Sequence, residues 1–286
     1  MRNHPIKLVE CPRDAMQGLH DFIPTNLKAA YLNLLLQVGF DTIDFGSFVS
    51  PKAIPQMRDT AAVLDLLDLP AGGSRLLAIV ANVRGAEEAA QHAQIDYLGF
   101  PFSISETFQQ RNTNSSMAAS VDTIKRLLEI CSAKDKTAVI YLSMGFGNPY
   151  GDEWSPQLVT DWAGRLVSEG AGILSLADTT GVSTARQIRE LLPVLTNSLP
   201  EAEIGLHLHA TPGQRLEKIT AAFEAGCSRF DSALRGYGGC PMASDQLTGN
   251  IATEEVIGYL NAQNQLPPLN FEKWEEAIQL SGSIFH

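Results

Sequence analysis

The chain has 286 residues, is 44% hydrophobic and carries a formal net charge of −11. That length suits one large domain with a sizeable core, and the acidic balance argues against a nucleic-acid partner, which needs a basic stripe. No apolar run approaches the ~20 residues of a membrane span, so no membrane partner is expected.

The opening "MRNHPIKLVEC" has no apolar signal-peptide core and runs directly into a strand-like segment at 6–11, so a cytoplasmic location is expected. "PTNLKAAYLNLLLQVG" (24–39) then reads as a helix, with Pro and polar residues at its start and Gly at its exit. Strand-like runs follow at 41–46, 75–81, 97–103 and 137–144. "SPQLVTDWAGRLVSEG" (155–170) repeats the helix scheme, with Ser155 as N-cap, Pro156 at the first helical position and Gly170 at the exit. A strand at 172–178, a helix beginning "TARQIRELLPVL", a strand at 203–209, a helix in "GQRLEKITAAFEAG" and a strand at 229–235 complete the alternation. Eight strands alternating with helices predict a (β/α)8 TIM barrel spanning residues 1–286 as a single domain. The rival, a doubly wound open sheet, lacks the Gly-x-Gly-x-x-Gly turn and the P-loop of its nucleotide-binding versions.

Barrels place their chemistry at the C-terminal ends of the strands. There the sequence offers Arg13, Asp14 and Gln17 after the first strand, Asp44 and Ser47 at the second, and Asp178 and Thr179 at the sixth. His207 and His209 follow at the seventh, and "RGYGGCP" (235–241) with "TGN" ending at Asn250 after the eighth; the opposite strand ends show far fewer polar groups. A strand alternates faces, so His207 and His209 point together. They read either as hydrogen-bonded core histidines or as half of a metal site. Asp14, His207, His209 and Asn250 make a mixed oxygen and nitrogen set that suits Mg²⁺, Mn²⁺ or Zn²⁺. Asp14 also reads as a helix cap, and Asn250 as a turn residue before Thr253, itself N-cap-like.

Four cysteines, Cys11, Cys131, Cys227 and Cys240, show no C-x-x-C spacing and no disulfide framework. Cys240 alone sits in a Gly-rich loop, where a thiol serves either as a proton donor or acceptor or as a structural turn residue.

"VECPRDAMQG" resembles the first-strand signature of the DRE-TIM metallolyases, and "IDFGSFVSPKAIPQMRDTAAVL", "GGCP" and "GNIATEEV" resemble their hydroxymethylglutaryl-CoA lyase branch. The resemblance runs from about residue 7 to about residue 265. It implies a metal-dependent barrel that cleaves 3-hydroxy-3-methylglutaryl-CoA, an acyl-CoA substrate, into acetyl-CoA and acetoacetate. By motif, Asp14, His207, His209 and Asn250 match the family's metal ligands. Arg13 matches the arginine that steadies the developing enolate, and Cys240 the loop thiol of proton transfer. Asp44 takes the place of a family glutamate, one methylene shorter, while Gln17 and Asp178 match further polar residues of the site, Asp178 as a support for a histidine or water. The family also implies a homodimer.

The chain departs from the family pattern at Ala15, Asp44, Asn148, Ala210 and Tyr237. Two alternatives therefore stand beside the lyase reading. One is a related retro-aldol lyase or condensing enzyme acting on another acyl-CoA or 2-oxo acid; the other is an inactive acyl-CoA-binding barrel. The coenzyme A pocket is not legible, although Lys52, Arg84 and Arg111 are cations that could meet its phosphates.

Overall fold

The computed structural model describes residues 5–239 and 248–285. Its eight strands are β1 (Lys7–Glu10), β2 (Thr42–Ser47), β3 (Arg75–Ile79), β4 (Tyr97–Ser103), β5 (Thr137–Ser143), β6 (Ile173–Ala177), β7 (Glu203–His207) and β8 (Arg229–Ser232). They pair in parallel in chain order, and β8 returns to β1 to close the barrel. The helices are α1 (Pro12–Gln17), α2 (Thr25–Val38), α3 (Thr60–Leu64), α4 (Val83–Ala89), α5 (Glu106–Thr113) and α6 (Met117–Ala133). After β5 come α7 (Pro156–Ser168), α8 (Ala185–Ser198), α9 (Arg215–Glu224), α10 (Thr253–Ala262) and α11 (Phe271–Ser281). The expected TIM barrel is thus present, and among the described residues no helix is long and apolar enough to cross a membrane.

The local signals read from the sequence act as expected. Ser155 accepts a hydrogen bond from Leu158 N at 3.1 Å to cap α7, with Pro156 as its first residue. Thr184 and Gln187 form a reciprocal capping box at the start of α8, satisfying N–H groups the helix cannot. Each strand is nearly all buried because the barrel interior covers one face and the helices the other, which explains continuous apolar runs such as "ILSLA" in β6.

The inside of the barrel is unevenly filled. On the β3–β6 side Leu77, Ile79, Tyr97, Val139, Tyr141 and Ile173 form an apolar cluster. Across from it, the alternating faces of β7 and β8 place Glu203, His207, Arg229 and Asp231 inward. Arg229 is fully buried, and only a glycine at 205 admits it: a Cβ there would lie 2.8 Å from Arg229 Cδ. The floor is correspondingly more polar than expected. Lys7 meets Glu203 at 2.5 Å, and Arg229 meets the same carboxylate at 3.4 Å.

Several strands end earlier than their apolar runs suggest, by one to three residues. β7 stops at His207, β8 at Ser232 and β6 at Ala177. Beyond β7, His209 forms an isolated antiparallel bridge with Asn250. That bridge, rather than the barrel sheet, joins the two segments that carry candidate ligands.

Candidate metal centre

Pro12 starts the short α1 directly after β1, its fixed φ already suited to a first helical residue. The helix sets Arg13, Asp14 and Gln17 on the rim. Gln17 Nε2 donates to Asp14 Oδ1 at 2.7 Å, the three-residue spacing that neighbours on one helix face share. Arg13 Nη1 donates to the same oxygen at 3.0 Å, and Asn250 Nδ2 donates to Asp14 Oδ2 at 2.6 Å. Asp14, His207 and His209 are buried, and one ligand atom from each lies within 4.8 Å of the others.

The proton positions at His209 and Asn250 follow from their partners. His209 Nδ1 lies 3.0 Å from the Thr179 carbonyl oxygen, which can only accept. Nδ1 therefore carries the proton, and Nε2 keeps its lone pair. Asn250 donates both to Asp14 and to Tyr237 O, at 2.8 Å, which fixes its amide orientation. His209 Nε2 and Asn250 Oδ1 are left buried without a hydrogen-bond partner. Two stranded acceptors beside an ionised carboxylate fit a divalent cation, since buried acceptors otherwise find donors. His207 turns Nδ1 toward Asp231 Oδ2 at 3.4 Å, leaving Nε2 as the nitrogen available to an ion.

The electrostatics agree. Burial works against a charge on Asp14, but Arg13, His207, His209 and the Asn250 amide outweigh it and hold the carboxyl well below the usual range. Burial also opposes a charge on Arg13, yet Asp44 and Asp14 raise it above its ordinary value. His209 is lowered by burial and by His207, which favours the neutral, ligating ring. At His207 burial is outweighed by Asp231 and Asp14, and the net shift is upward.

Asp44 lies inside the barrel and faces Arg13, not the ligand atoms. It accepts Arg13 Nη2 at 2.6 Å and Nε at 3.0 Å, a two-pronged clamp. Burial pushes its pKa to about 6 even with Arg13 pulling it down, so it remains ionised at neutral pH. Three of the five guanidinium N–H donors of Arg13 are thus directed at carboxylates, leaving two for a ligand.

Asp178, which the resemblance makes a support for a histidine or water, is bound to a buried lysine and a serine. Its Oδ2 takes Lys218 Nζ at 2.7 Å and Ser183 Oγ at 2.5 Å. Lys218 also donates to His209 O at 2.7 Å and to Gly181 O at 3.0 Å, so this buried cation links Asp178 to the His209 backbone. Thr253 is the first residue of α10 rather than its cap, and its hydroxyl donates to Glu10 Oε2 at 2.5 Å. Cys240 lies outside the described residues. The Gly-rich run leading to it packs on the ligands. Gly238 has φ +105°, and a Cβ there would lie 2.6 Å from Asn250 Nδ2 and 2.8 Å from Asp14 O.

The remaining departures have local partners. Asn148 Oδ1 accepts from Tyr150 N and Asp152 N, tying the β5 exit into a turn. Tyr237 stacks on Phe285 with ring centroids 4.6 Å apart. Ala15 and Ala210 are buried, with no polar atom to satisfy. A cavity of about 400 Å³ opens on the rim, lined by Arg13, Asp14, Gln17 and both histidines. Its apolar lining includes Val49, Ile79 and Phe108, its polar lining Ser47, Asn82 and Ser143. Arg111 lines it and stacks over Tyr150 at 4.7 Å; Lys52 and Arg84 are not part of the wall.

Glu10 escaped notice in the sequence because an acidic residue inside an apolar strand carries no spacing signal. It is fully buried and accepts Leu234 N at 2.7 Å and the Thr253 hydroxyl, pinning both stems of the 235–250 segment. Burial pushes its pKa up to about 8. The folded chain therefore binds this proton more tightly than the unfolded chain, whose value is 4.5. Stability should fall as pH rises from about 4.5 to about 8, by at most ~1.4 kcal/mol per unit from this group. Urea unfolding across that window should show the decline in the wild type and a flatter profile in Glu10→Gln.

The HMGL-like family model matches residues 6–280. The chain is 33% identical over 274 residues to the rat protein "3-hydroxy-3-methylglutaryl-CoA lyase, cytoplasmic", covering 95% of this chain and 79% of that protein. The hydroxymethylglutaryl-CoA lyase of Pseudomonas aeruginosa superposes with a TM-score of 0.90 at 32% identity, over 98% of this chain and 93% of that one. An HMG-CoA lyase from Acinetobacter baumannii, solved with coenzyme A and 3-methylmalate, also gives 0.90 at 28% identity, over 98% and 91%.

Proposed function

Because this chain belongs to the HMGL-like family of carbon–carbon lyases, we propose that it cleaves 3-hydroxy-3-methylglutaryl-CoA to acetyl-CoA and acetoacetate with a bound divalent cation. The reading rests on one observation: Asp14, His207 and His209 converge while His209 Nε2 and Asn250 Oδ1 remain buried and unpartnered. The coenzyme A in the Acinetobacter lyase supports an acyl-CoA substrate.

The cleaved bond lies between a tertiary alcohol carbon and the methylene next to the thioester. The hydroxyl must lose its proton, and the bonding pair must flow into the thioester carbonyl. An ion held by Asp14, His207, His209 and Asn250 would supply Lewis acidity toward the substrate oxygens. Arg13, permanently charged and clamped by Asp44, would direct its two free N–H donors at the enolate oxygen as negative charge grows there. A donor already held in place loses little in reorganising, which is why a rigid guanidinium suits this task. Asp14 and Gln17 keep Arg13 and the rim in register through their shared hydrogen bonds.

The enolate carbon then needs a proton, and we assign that step to Cys240. Cys240→Ala should leave metal content unchanged while slowing turnover by ~10²-fold or more, the usual scale for a positioned acid or base. A variant of unchanged rate removes Cys240 from the mechanism. We also infer a cytoplasmic location, the compartment that the rat relative's name states for that protein, while a mouse relative of equal identity is named mitochondrial.

The deciding experiment combines metal analysis of purified protein with an assay of acetoacetate release from 3-hydroxy-3-methylglutaryl-CoA. Bound metal with release supports the proposal. Bound metal without release points to another acyl-CoA or 2-oxo acid, and absence of metal after loading points to a barrel that only binds.

A further inference from the structure

Below the rim, the barrel interior holds a second convergence of ligand-type side chains. One ligand atom each from Cys11, His207 and Asp231 lies within 4.8 Å of the others, and all three residues are buried. Cys11 links β1 to α1, and its thiol makes a weak contact, 3.8 Å to Val9 O. His207 Nδ1 faces Asp231 Oδ2 at 3.4 Å, but neither Nδ1 nor Asp231 Oδ1 has a hydrogen-bond partner. Asp231 Oδ2 accepts from Ser175 Oγ at 3.1 Å, and Oδ1 lies 3.7 Å from Arg229 Nε. Arg229 is in turn drawn toward Glu203. Buried polar atoms are normally satisfied, so an imidazole nitrogen and a carboxylate oxygen without hydrogen bonds, in a cluster that also holds a thiol, call for an explanation.

We propose that Cys11, His207 Nδ1 and Asp231 form a separate site for a borderline or soft divalent cation, Zn²⁺ or Cd²⁺, beneath the rim site. Sulfur, nitrogen and carboxylate oxygen are the three ligand types zinc favours, with a fourth position left for water. A thiolate selects against Mg²⁺ and Mn²⁺, which prefer the oxygen-rich set above. Burial keeps the Cys11 proton on, and the nearby Asp231, Asp44 and Asp14 carboxylates add to this; the same negative surroundings favour a cation in the proton's place.

The thiol loses its proton to solvent and sulfur bonds the ion. Nδ1 gives its lone pair to the ion, and the ring proton moves to Nε2, so the imidazole stays neutral. Nε2 then carries N–H and has no lone pair for an ion on the rim. Since His207 is shared, the lower site antagonises the rim site, a consequence that rests on the rim reading proposed above, whereas the lower site itself does not.

The site is tested in Cys240→Ala protein, so that the Gly-rich-loop thiol cannot contribute a thiolate. Titration of the metal-free chain with Cd²⁺ should produce an ultraviolet thiolate-to-metal charge-transfer band that saturates at one ion per chain. Adding Cys11→Ser should abolish it, and Cys11→Ala should do the same, with unchanged circular dichroism showing that the fold is intact. No band in the parent, or a band that survives in either folded variant, overturns the site. In protein with Cys240 intact, Zn²⁺ should inhibit Mn²⁺-supported turnover. Cys11→Ser should retain that turnover and need at least ~10-fold more Zn²⁺, about 1.4 kcal/mol of lost affinity. Equal sensitivity overturns the antagonism. The Cd²⁺ arm reads no turnover, so it stands or fails independently of the substrate assigned above.

Discussion

Asp14→Asn should abolish divalent-ion retention and turnover together while leaving a folded barrel. Asp14 is the one carboxylate in the ligand set, and it is held ionised by Arg13, His207, His209 and the Asn250 amide against the effect of burial. The substitution keeps the volume but removes the charge that attracts the ion. It also turns an amide N–H₂ toward donors, because Oδ1 now accepts from Arg13 and Gln17 and Oδ2 from Asn250. Lewis-acid stabilisation is worth several kcal/mol, and at 1.36 kcal/mol per decade its loss means ~10³-fold or more in rate. Metal content after dialysis, kcat and circular dichroism together check this. A folded Asp14→Asn protein that keeps its ion at wild-type stoichiometry would falsify the ligand assignment.

Arg13→Met should cost both stability and rate, by separable routes. Removing the guanidinium strands Asp44, which is fully buried and loses all its Arg13 hydrogen bonds. Breaking a buried pair from one side typically costs about 3–5 kcal/mol, so the melting temperature should fall by on the order of 10 °C. Loss of the donor to the enolate should lower kcat by ~10²–10³-fold. Adding Asp44→Asn neutralises the stranded carboxyl and should recover much of the stability but none of the rate. Arg13→Lys should not substitute, since an ammonium cannot reproduce the fork to Asp44 while keeping donors for substrate. If the double variant also regained turnover, Arg13 would be a structural clamp only.

The shortened acid at position 44 shows how one residue type can mean two things. By motif, Asp44 takes the place of a family glutamate, and the sequence shows only that its carboxylate reaches less far. In the fold that shorter reach goes with a two-pronged clamp on Arg13 rather than with the ligand atoms. Asp178 shows the same limit. The resemblance makes it a support for a histidine or water, and the structure pairs it with Ser183 and with Lys218, 40 residues later. A lysine on an amphipathic helix reads as a solvated charge, and nothing in its spacing announces that it is 2% exposed.

The sequence alone determined the alternation of strands and helices, and with it the barrel and the rim on which the chemistry sits. Periodicity, Ser and Thr caps and Pro at helix starts are local, so a linear reading recovers them. It also marked Asp14, His207, His209 and Asn250 as candidates, because their types suit an ion and barrel topology brings strand ends to one side. Tertiary structure alone decided which atoms of those residues stay free. The Thr179 carbonyl sets the His209 tautomer, the Tyr237 carbonyl orients the Asn250 amide, and Asp231 faces His207 Nδ1 from inside the barrel. Those partners lie between 13 and 30 residues away in the chain. Hydrogen-bond direction and desolvation depend on distances of a few ångströms in space, which sequence separation does not encode.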